Sequence, residues 1–390
     1  MTKWVKCKLG DICTLNYGKS LTATNRVAGD IPVYSSAGIT GSHNVALVQS
    51  KGIIVGRKGT VGTVYYSDKP LYCIDTAYYI LPDDEKYDFK WLYYRLKSLH
   101  LDKLNEDSAV PGLNRETAYA QEFPLPPLEE QRRIAGILGA IDDKIENNRR
   151  INTNLELQAQ ALYKQWFVDF EFPNEEGKPY KSSGGKMVDS ELGPIPEGWS
   201  VGKLEDIGDI IGGGTPSKAV AEYYTKNGIA WITPKDLSVS HSKFTSKGET
   251  DITELGYKNS SAKIMPRGSV LFSSRAPIGY ISIAKNDICT NQGFKSVVPN
   301  NGCTAFVYYF LLSNTENIES KATGSTFKEA SGALMKSLDL VIPSEDILEN
   351  FENIMSPIFE LQEKFEAENE TLANLRDTLL PKLMNGEIKL

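Results

Sequence analysis

The sequence predicts an α+β protein: two pseudo-symmetric mixed α/β domains separated by two long helices that form an antiparallel coiled coil. Three observations carry this. The chain repeats itself in ordered blocks, the first half of each copy is dense in short apolar runs broken by turn residues, and each copy ends in a long tract almost free of helix breakers.

The repeat is read directly. Trp4-Val5-Lys6-Cys7-Lys8-Leu9-Gly10-Asp11-Ile12 matches Trp199-Ser200-Val201-Gly202-Lys203-Leu204-Glu205-Asp206-Ile207 at an offset of 195 residues. Gly18-Lys19-Ser20 then falls on Gly213-Gly214-Thr215. Further on the offset is 217, where Gly56-Arg57-Lys58-Gly59-Thr60-Val61-Gly62 parallels Ser273-Ser274-Arg275-Ala276-Pro277-Ile278-Gly279. Phe123-Pro124-Leu125-Pro126-Pro127 likewise parallels Leu340-Val341-Ile342-Pro343-Ser344. The second copy therefore carries about twenty extra residues before its Arg275 motif.

Within each first half, short apolar runs predict strands at Gly52-Ile53-Ile54-Val55-Gly56, Gly268-Ser269-Val270-Leu271-Phe272, Tyr72-Cys73-Ile74 and Val297-Val298-Pro299. Unbroken stretches predict helices over 89–101 and 305–313. From 129 to about 169 there is no proline. A heptad frame places Ile134, Ile141, Asn148, Leu155 and Leu162 at a, with Ile137, Lys144, Ile151, Gln158 and Gln165 at d. The same frame gives Phe351, Ile358, Phe365, Leu372 and Leu379 at a in the second copy, and Ile354, Leu361, Glu368, Leu375 and Lys382 at d. Each tract would run roughly 60 Å at ~1.5 Å per residue. Such imperfect seams hold poorly alone, but two in one chain can pair. Pro357 and Pro381 should kink or end the second helix locally. Between the copies, the Gly-, Pro- and Ser-punctuated stretch from Phe172 to Glu197 reads as a linker.

Composition sets limits on function. Net charge is −7, but the acid is concentrated. Residues 344–390 carry 4 Lys/Arg against 11 Asp/Glu, whereas 1–125 and 199–343 each carry 15 against 13. The two large segments permit phosphate contacts without demanding them. No run of 18 apolar residues suggests a membrane span, and the N-terminus carries no signal-peptide pattern, so a cytoplasmic protein is expected. Five cysteines without a CxxC pair, and three histidines, argue against a zinc site or a disulfide framework.

Catalytic groupings are missing. Gly212-Gly213-Gly214-Thr215-Pro216 lacks the lysine and following helix of a P-loop. A methyltransferase would need a polar-Pro-Pro-aromatic motif and a Gly-rich nucleotide loop. His43, His100 and His241 read as surface or turn residues, and Asp83-Asp84-Glu85 and Glu175-Glu176 as solvated charges. No catalytic residue, cofactor or metal site is expected.

Several blocks together resemble the specificity subunits of type I restriction-modification systems. They are Leu125-Pro126-Pro127-Leu128-Glu129-Glu130-Gln131-Arg132-Arg133-Ile134-Ala135, Trp166-Phe167-Val168-Asp169-Phe170, Glu191-Leu192-Gly193-Pro194-Ile195-Pro196-Glu197-Gly198-Trp199 and Leu379-Leu380-Pro381-Lys382-Leu383-Met384-Asn385-Gly386-Glu387-Ile388. The second copy departs at its junction, where Ile342-Pro343-Ser344-Glu345-Asp346 lacks the Pro-Pro and Glu-Gln. The resemblance implies a non-catalytic subunit with target recognition domains at 1–128 and 199–343. Spacer helices would occupy 129–170 and 344–390, with a linker at 171–198. Each domain would read half of a split site in double-stranded DNA. The helices would space the domains and dock two adenine methyltransferase subunits, with restriction (motor-nuclease) subunits joining, and no membrane is involved. Two rival readings are a related split-site system with a fused methyltransferase-nuclease partner, and a coiled-coil scaffold that binds no DNA. An enzyme in its own right is disfavoured by the missing motifs.

Within the domains, the expected DNA contacts are Arg57, Lys58 and Thr60 in one loop and Ser273, Ser274 and Arg275 in its counterpart. Arginine forks suit guanine edges, while Ser, Thr and Lys suit phosphates or bases. Secondary candidates are Lys19 and Ser20 with Thr215 and Ser217, then Thr233, Lys235, Asn291 and Gln292, whose amides suit adenine edges. Arg115 and Lys328, beside the Gly112 and Gly324 loops, complete the set.

Overall fold

A computed structural model describes residues 4–104, 112–240, 242–324, 328–388 and 390. The chain divides into two compact units. The first holds the residues up to 147 together with Asn369–Leu390, and the second is Asn148–Glu368. Neither unit is one repeat alone, because each contains part of both long helices.

The first unit has a four-stranded sheet in the order Asn16–Tyr17, Ala77–Ile80, Gly52–Gly56, Val64–Ser67, all neighbours antiparallel. Its central strand is buried on both faces, as expected of the continuous apolar run Ile53-Ile54-Val55. A three-stranded sheet, Gly38–His43, Ile31–Ser35, Tyr72–Cys73, lies in the same unit. Helix α1 (Phe89–Ser98) starts where the Asp88 carboxylate accepts the Trp91 N–H at 2.8 Å. Trp91, Leu92, Tyr94 and Leu96 of α1 are fully buried in a core shared with Ile134 and Leu138 of helix α2 (Leu128–Tyr163). Gln131 ties that junction together. Its amide donates to the Pro126 carbonyl at 2.9 Å and accepts the Asp88 N–H at 2.9 Å.

The second unit repeats the sheet with one addition. Its order is Gly208–Gly212, Lys295–Pro299, Val270–Ser274, Ile278–Ala284, then Phe244–Thr245. The first four positions reproduce those of the first unit. The fifth, parallel to its neighbour, comes from the extra residues of the second copy. Helix α3 (Thr304–Lys321) runs well past the predicted 305–313. Its N-cap is Cys303, which makes no capping bond, and Glu352 of helix α4 (Glu345–Met384) supplies the acceptor. The Glu352 carboxylate takes the Ala305 and Phe306 N–H groups at 3.1 and 2.9 Å.

Three expectations change. Pro357 and Pro381 do not end the second long helix, which runs through both to Met384. A proline removes one backbone donor and crowds one turn, and flanking side chains such as Met355, Ile358, Leu383 and Met384 hold the helix by packing. The heptad frame is right at a, whose residues are buried or half-buried, and wrong at most d positions. Ile137, Ile354, Leu361 and Leu375 are all exposed by more than a third. The buried stripe instead combines a with the position one residue after d: Leu138, Ile145 and Ala159 on α2, and Met355, Gln362 and Leu383 on α4. A helix packing against a globular domain as well as another helix buries a wider arc than a two-helix seam. The linker, finally, is folded onto the second unit. Phe172 stacks on Trp199 at 4.9 Å and on Tyr180 at 4.5 Å, and Ile195 is buried beside them.

The long helices pair antiparallel. In the second unit Asn148 donates to Glu368 at 2.8 Å and Asn152 to the Gln362 carbonyl at 3.2 Å. In the first, Arg376 bonds Asp142 at 2.9 Å. Each sheet-bearing half is also bolted to both helices. Tyr94 of α1 donates to Asp142 at 2.6 Å in the first unit. Arg95, only 2% exposed, lies over Trp91 and Phe123 and donates to the carbonyls of Pro124 and of Met384 at the C-terminal end of α4. Burial brings its pKa down to about 10.

In the second unit the bolt is Lys243, the residue before the added strand. Its ammonium donates to Glu156 of α2 at 2.6 Å, Tyr309 of α3 at 2.8 Å and Gln362 of α4 at 3.0 Å, and lies 4.0 Å from the centre of the Phe359 ring. Burial pulls its pKa down to about 8 despite the opposing pull of the Glu156 charge. Burial works to raise the Glu156 carboxyl, but the Lys243 charge and hydrogen bond hold it below its ordinary value. The N–H groups of Lys243 and Phe244 are accepted by Glu366 of α4 at 3.0 and 3.3 Å.

Candidate nucleic-acid interface

In the first unit the predicted residues gather around segment 73–77. The loop after strand Gly52–Gly56 closes tightly, with Gly62 N–H on the Gly56 carbonyl at 2.9 Å. Gly62 has φ +74°, and a Cβ there would lie 2.0 Å from the Asp102 nitrogen, so the turn requires glycine. The N–H groups of Arg57 and Lys58 both reach the Thr76 carbonyl, while Gly18 and Lys19 bond the carbonyls of Ala77 and Cys73. Leu113 N–H bonds the Arg57 carbonyl at 2.8 Å, which brings in the short helix Arg115–Tyr119 capped by Asn114. Lys19, Ser20, Lys58 and Thr60 are therefore exposed on one surface, with Arg57 and Arg115 half-buried among them.

Tyr17, which sequence reasoning passed over, organises the arginines. The Arg57 and Arg115 guanidinium carbons lie 4.8 and 5.2 Å from its ring centre. The ring is 48% exposed and packs at 5.1 Å on Tyr78. Arg57 also donates to the Asp75 carbonyl at 3.3 Å.

In the second unit a cleft of about 700 Å³ collects Thr215, Thr233, Lys235, Arg275, Asn291 and Gln292, six of the ten residues predicted in that copy, around Trp231 and Tyr224. Trp231 is buried and donates to the Gly214 carbonyl at 2.9 Å, fixing the glycine-rich turn. Thr215 donates to Gln292, and Asn291 accepts the Gly293 N–H at 2.8 Å. Thr233 caps its helix through Asp236, with N–H and hydroxyl on that carboxylate at 2.8 and 2.6 Å. The cations here face carboxylates: Lys235 on Glu249 at 2.9 Å, and Arg275 and Lys295 on Glu329 at 3.6 and 3.2 Å.

The other candidates fall elsewhere. Ser273 and Ser274 are fully buried and spend their hydroxyls inside the loop, on the carbonyls of Pro277 and Gly293 at 2.8 and 3.1 Å. They shape the turn that presents Arg275 and offer nothing to a ligand; alternation along a strand that is buried on both faces hid this. Ser217 and Lys328 are exposed, outside the residues lining the cleft. His43 ends the strand Gly38–His43, where it is half-buried and accepts the Val27 N–H at 3.0 Å, and His241 lies outside the described residues. Among the described residues no cluster of His, Cys, Asp and Glu could hold a metal, and no helix is long and apolar enough to cross a membrane.

Two surfaces with the same framework and different side chains are thus presented by two copies of one fold. Residues 1–157 and 196–376 match the type I restriction modification DNA specificity domain. The chain belongs to that family. Its two matched stretches make the internal repeat a duplication of the specificity domain itself. The specificity subunit of the type I restriction enzyme MjaIX from Methanocaldococcus jannaschii is 38% identical over 193 residues, covering 49% of this chain and 44% of that protein. The HindI specificity subunit of Haemophilus influenzae is 27% identical over 337 residues, 73% of this chain and 72% of its own. A crystal structure of a type I restriction-modification S subunit from M. genitalium shares the fold, with a TM-score of 0.65 at 17% identity over 98% of this chain and 96% of that one.

Proposed function

We propose that this chain is the DNA-specificity subunit of a type I restriction-modification complex, cytoplasmic and without catalysis of its own. In this reading residues 1–128 and 199–343 are two target recognition domains, each reading one half of a split site in double-stranded DNA. The stretches 129–170 and 344–390 are the spacer helices, joined through 171–198. Two adenine methyltransferase subunits dock on the helical part, and restriction subunits join for cleavage. The observation that carries the reading is the pair of related but non-identical surfaces, one built on Arg57 and the other on Arg275, each on its own copy of the specificity domain. Arginines on polar, glycine-turned loops supply both phosphate contacts and base-edge readout. The acidic C-terminal helix, with 4 basic against 11 acidic residues over 344–390, suits a protein partner far better than phosphate.

The test is methylome sequencing of a host carrying this chain and its partner methyltransferase. The expected result is adenine methylation at one bipartite motif. Arg57→Ala relaxes one half of that motif and Arg275→Ala the other, each by about tenfold to a hundredfold in discrimination. Methylation without sequence preference, or both variants altering the same half, overturns the reading.

A further inference from the structure

The surface of the first unit contains an arrangement that packing does not require. Tyr17 leaves nearly half of its surface to solvent, yet two arginines from separate parts of the chain converge on it. One is held by the loop at 56–62, the other by a short helix capped by Asn114. Beneath them Tyr78 fixes the ring, its own hydroxyl donating to the Leu113 carbonyl at 3.1 Å.

A guanidinium resting on an aromatic ring is held by its face, and its edge N–H donors remain available. Arg57 has no carboxylate within ion-pair distance among the described residues, and Arg115 has Glu116 at 3.8 Å, itself exposed by 78%. Arg275 in the second unit is instead drawn to Glu329. Arg57 spends one N–H on the Asp75 carbonyl and Arg115 meets Glu116 through Nε, so the remaining fork donors of both are what the platform presents. In the major groove the base edge offering two acceptors to such a fork is guanine, through O6 and N7. The two guanidinium carbons can be no farther apart than the sum of their distances to the ring centre, about 10 Å. That is about three base-pair steps at ~3.4 Å each.

We propose that the half-site read by the first unit contains guanines lying within about three base pairs of each other, contacted by Arg57 and Arg115, and that Tyr17 is the positioning residue that aims both. This inference rests on the reading of the chain as a DNA-specificity subunit and adds the base identity at one of its surfaces.

The experiment uses the full chain with its partner methyltransferase on a randomised duplex library, methylated sequences being counted for the wild type and for Arg57→Gln, Arg115→Gln, Tyr17→Leu and Tyr17→Phe. One half-site is expected to hold guanine at positions where replacement lowers methylation about tenfold to a hundredfold. Arg57→Gln and Arg115→Gln each relax one of those positions. Tyr17→Leu relaxes both while the other half-site keeps its sequence, and Tyr17→Phe, which keeps the ring, restores selection. A half-site that responds to the two arginine variants but holds no guanine overturns the inference and leaves the specificity-subunit reading standing. So does Tyr17→Leu lowering methylation evenly across all sequences. Should Tyr17→Leu fail to fold, the two glutamine variants decide alone. A library methylated without sequence preference by the wild type overturns the underlying reading as well.

Discussion

The two units solve the same mechanical problem with different chemistry. Each holds a sheet-bearing half against two helices. The first does so with a buried arginine whose donors meet backbone carbonyls, those of Pro124 and Met384. The second uses a buried lysine that meets a carboxylate, a phenol and an amide from three helices. The difference follows from the extra residues of the second copy, which add the fifth strand Phe244–Thr245 and place Lys243 at its start. The surfaces diverge in the same sense: two arginines on an exposed tyrosine in one unit, cations facing carboxylates around a buried tryptophan in the other. A duplicated scaffold keeps its sheet order while its anchors and its candidate surface change independently.

The anchors give the sharpest test. Lys243→Met leaves the half-buried Glu156 carboxylate without its cation and should cost about 2–4 kcal/mol. Arg95→Met leaves two carbonyls short of a donor and should cost about 1–3 kcal/mol. Denaturant unfolding with amide exchange resolved by unit measures both. Equal costs would mean that the lysine cluster works as packing and that its charge pairing adds nothing.

Helix capping comes next. Burial raises the Glu352 carboxyl to about 7, so the folded chain holds that proton more tightly than the unfolded one. This contribution is fully present below the ordinary carboxylate pKa of 4.5 and is lost as pH rises through about 7. At most on the order of 3 kcal/mol is involved. The pH dependence of stability between 5 and 8 should flatten in Glu352→Gln, whose amide oxygen still accepts from α3. An unchanged slope assigns the pH dependence to other groups. The local cap of α1 carries the smallest effect. Asp88→Ala should cost about 1 kcal/mol, confined to the first unit. A loss that reached the second unit as well would erase the contrast between a local and a long-range cap.

Much of this was legible in the sequence because its signals are local or periodic. The repeat, the strand at Gly52–Gly56, α1 and both long helices follow from order, apolar runs and missing breakers. The Arg57 loop was found by its alignment with Arg275. Tyr17 was missed because its meaning lies in Arg57 and Arg115, far along the chain, and a lone tyrosine after a short strand carries no pattern. Lys243 was missed for the same reason, its partners being Glu156, Tyr309 and Gln362. At the long helices the heptad frame assumed a two-helix seam, and the domain packed alongside moved the buried stripe off Ile137, Leu361 and Leu375.

The sequence by itself determined the duplication, the class of its longest elements and the family, since these are written in residue order and short-range periodicity. Only the tertiary structure decided which polar residues face outward and which are consumed. Ser273 and Ser274 turned inward while Arg57 and Arg115 met on one ring, because burial and convergence depend on atoms brought together from separate segments, which no local pattern encodes.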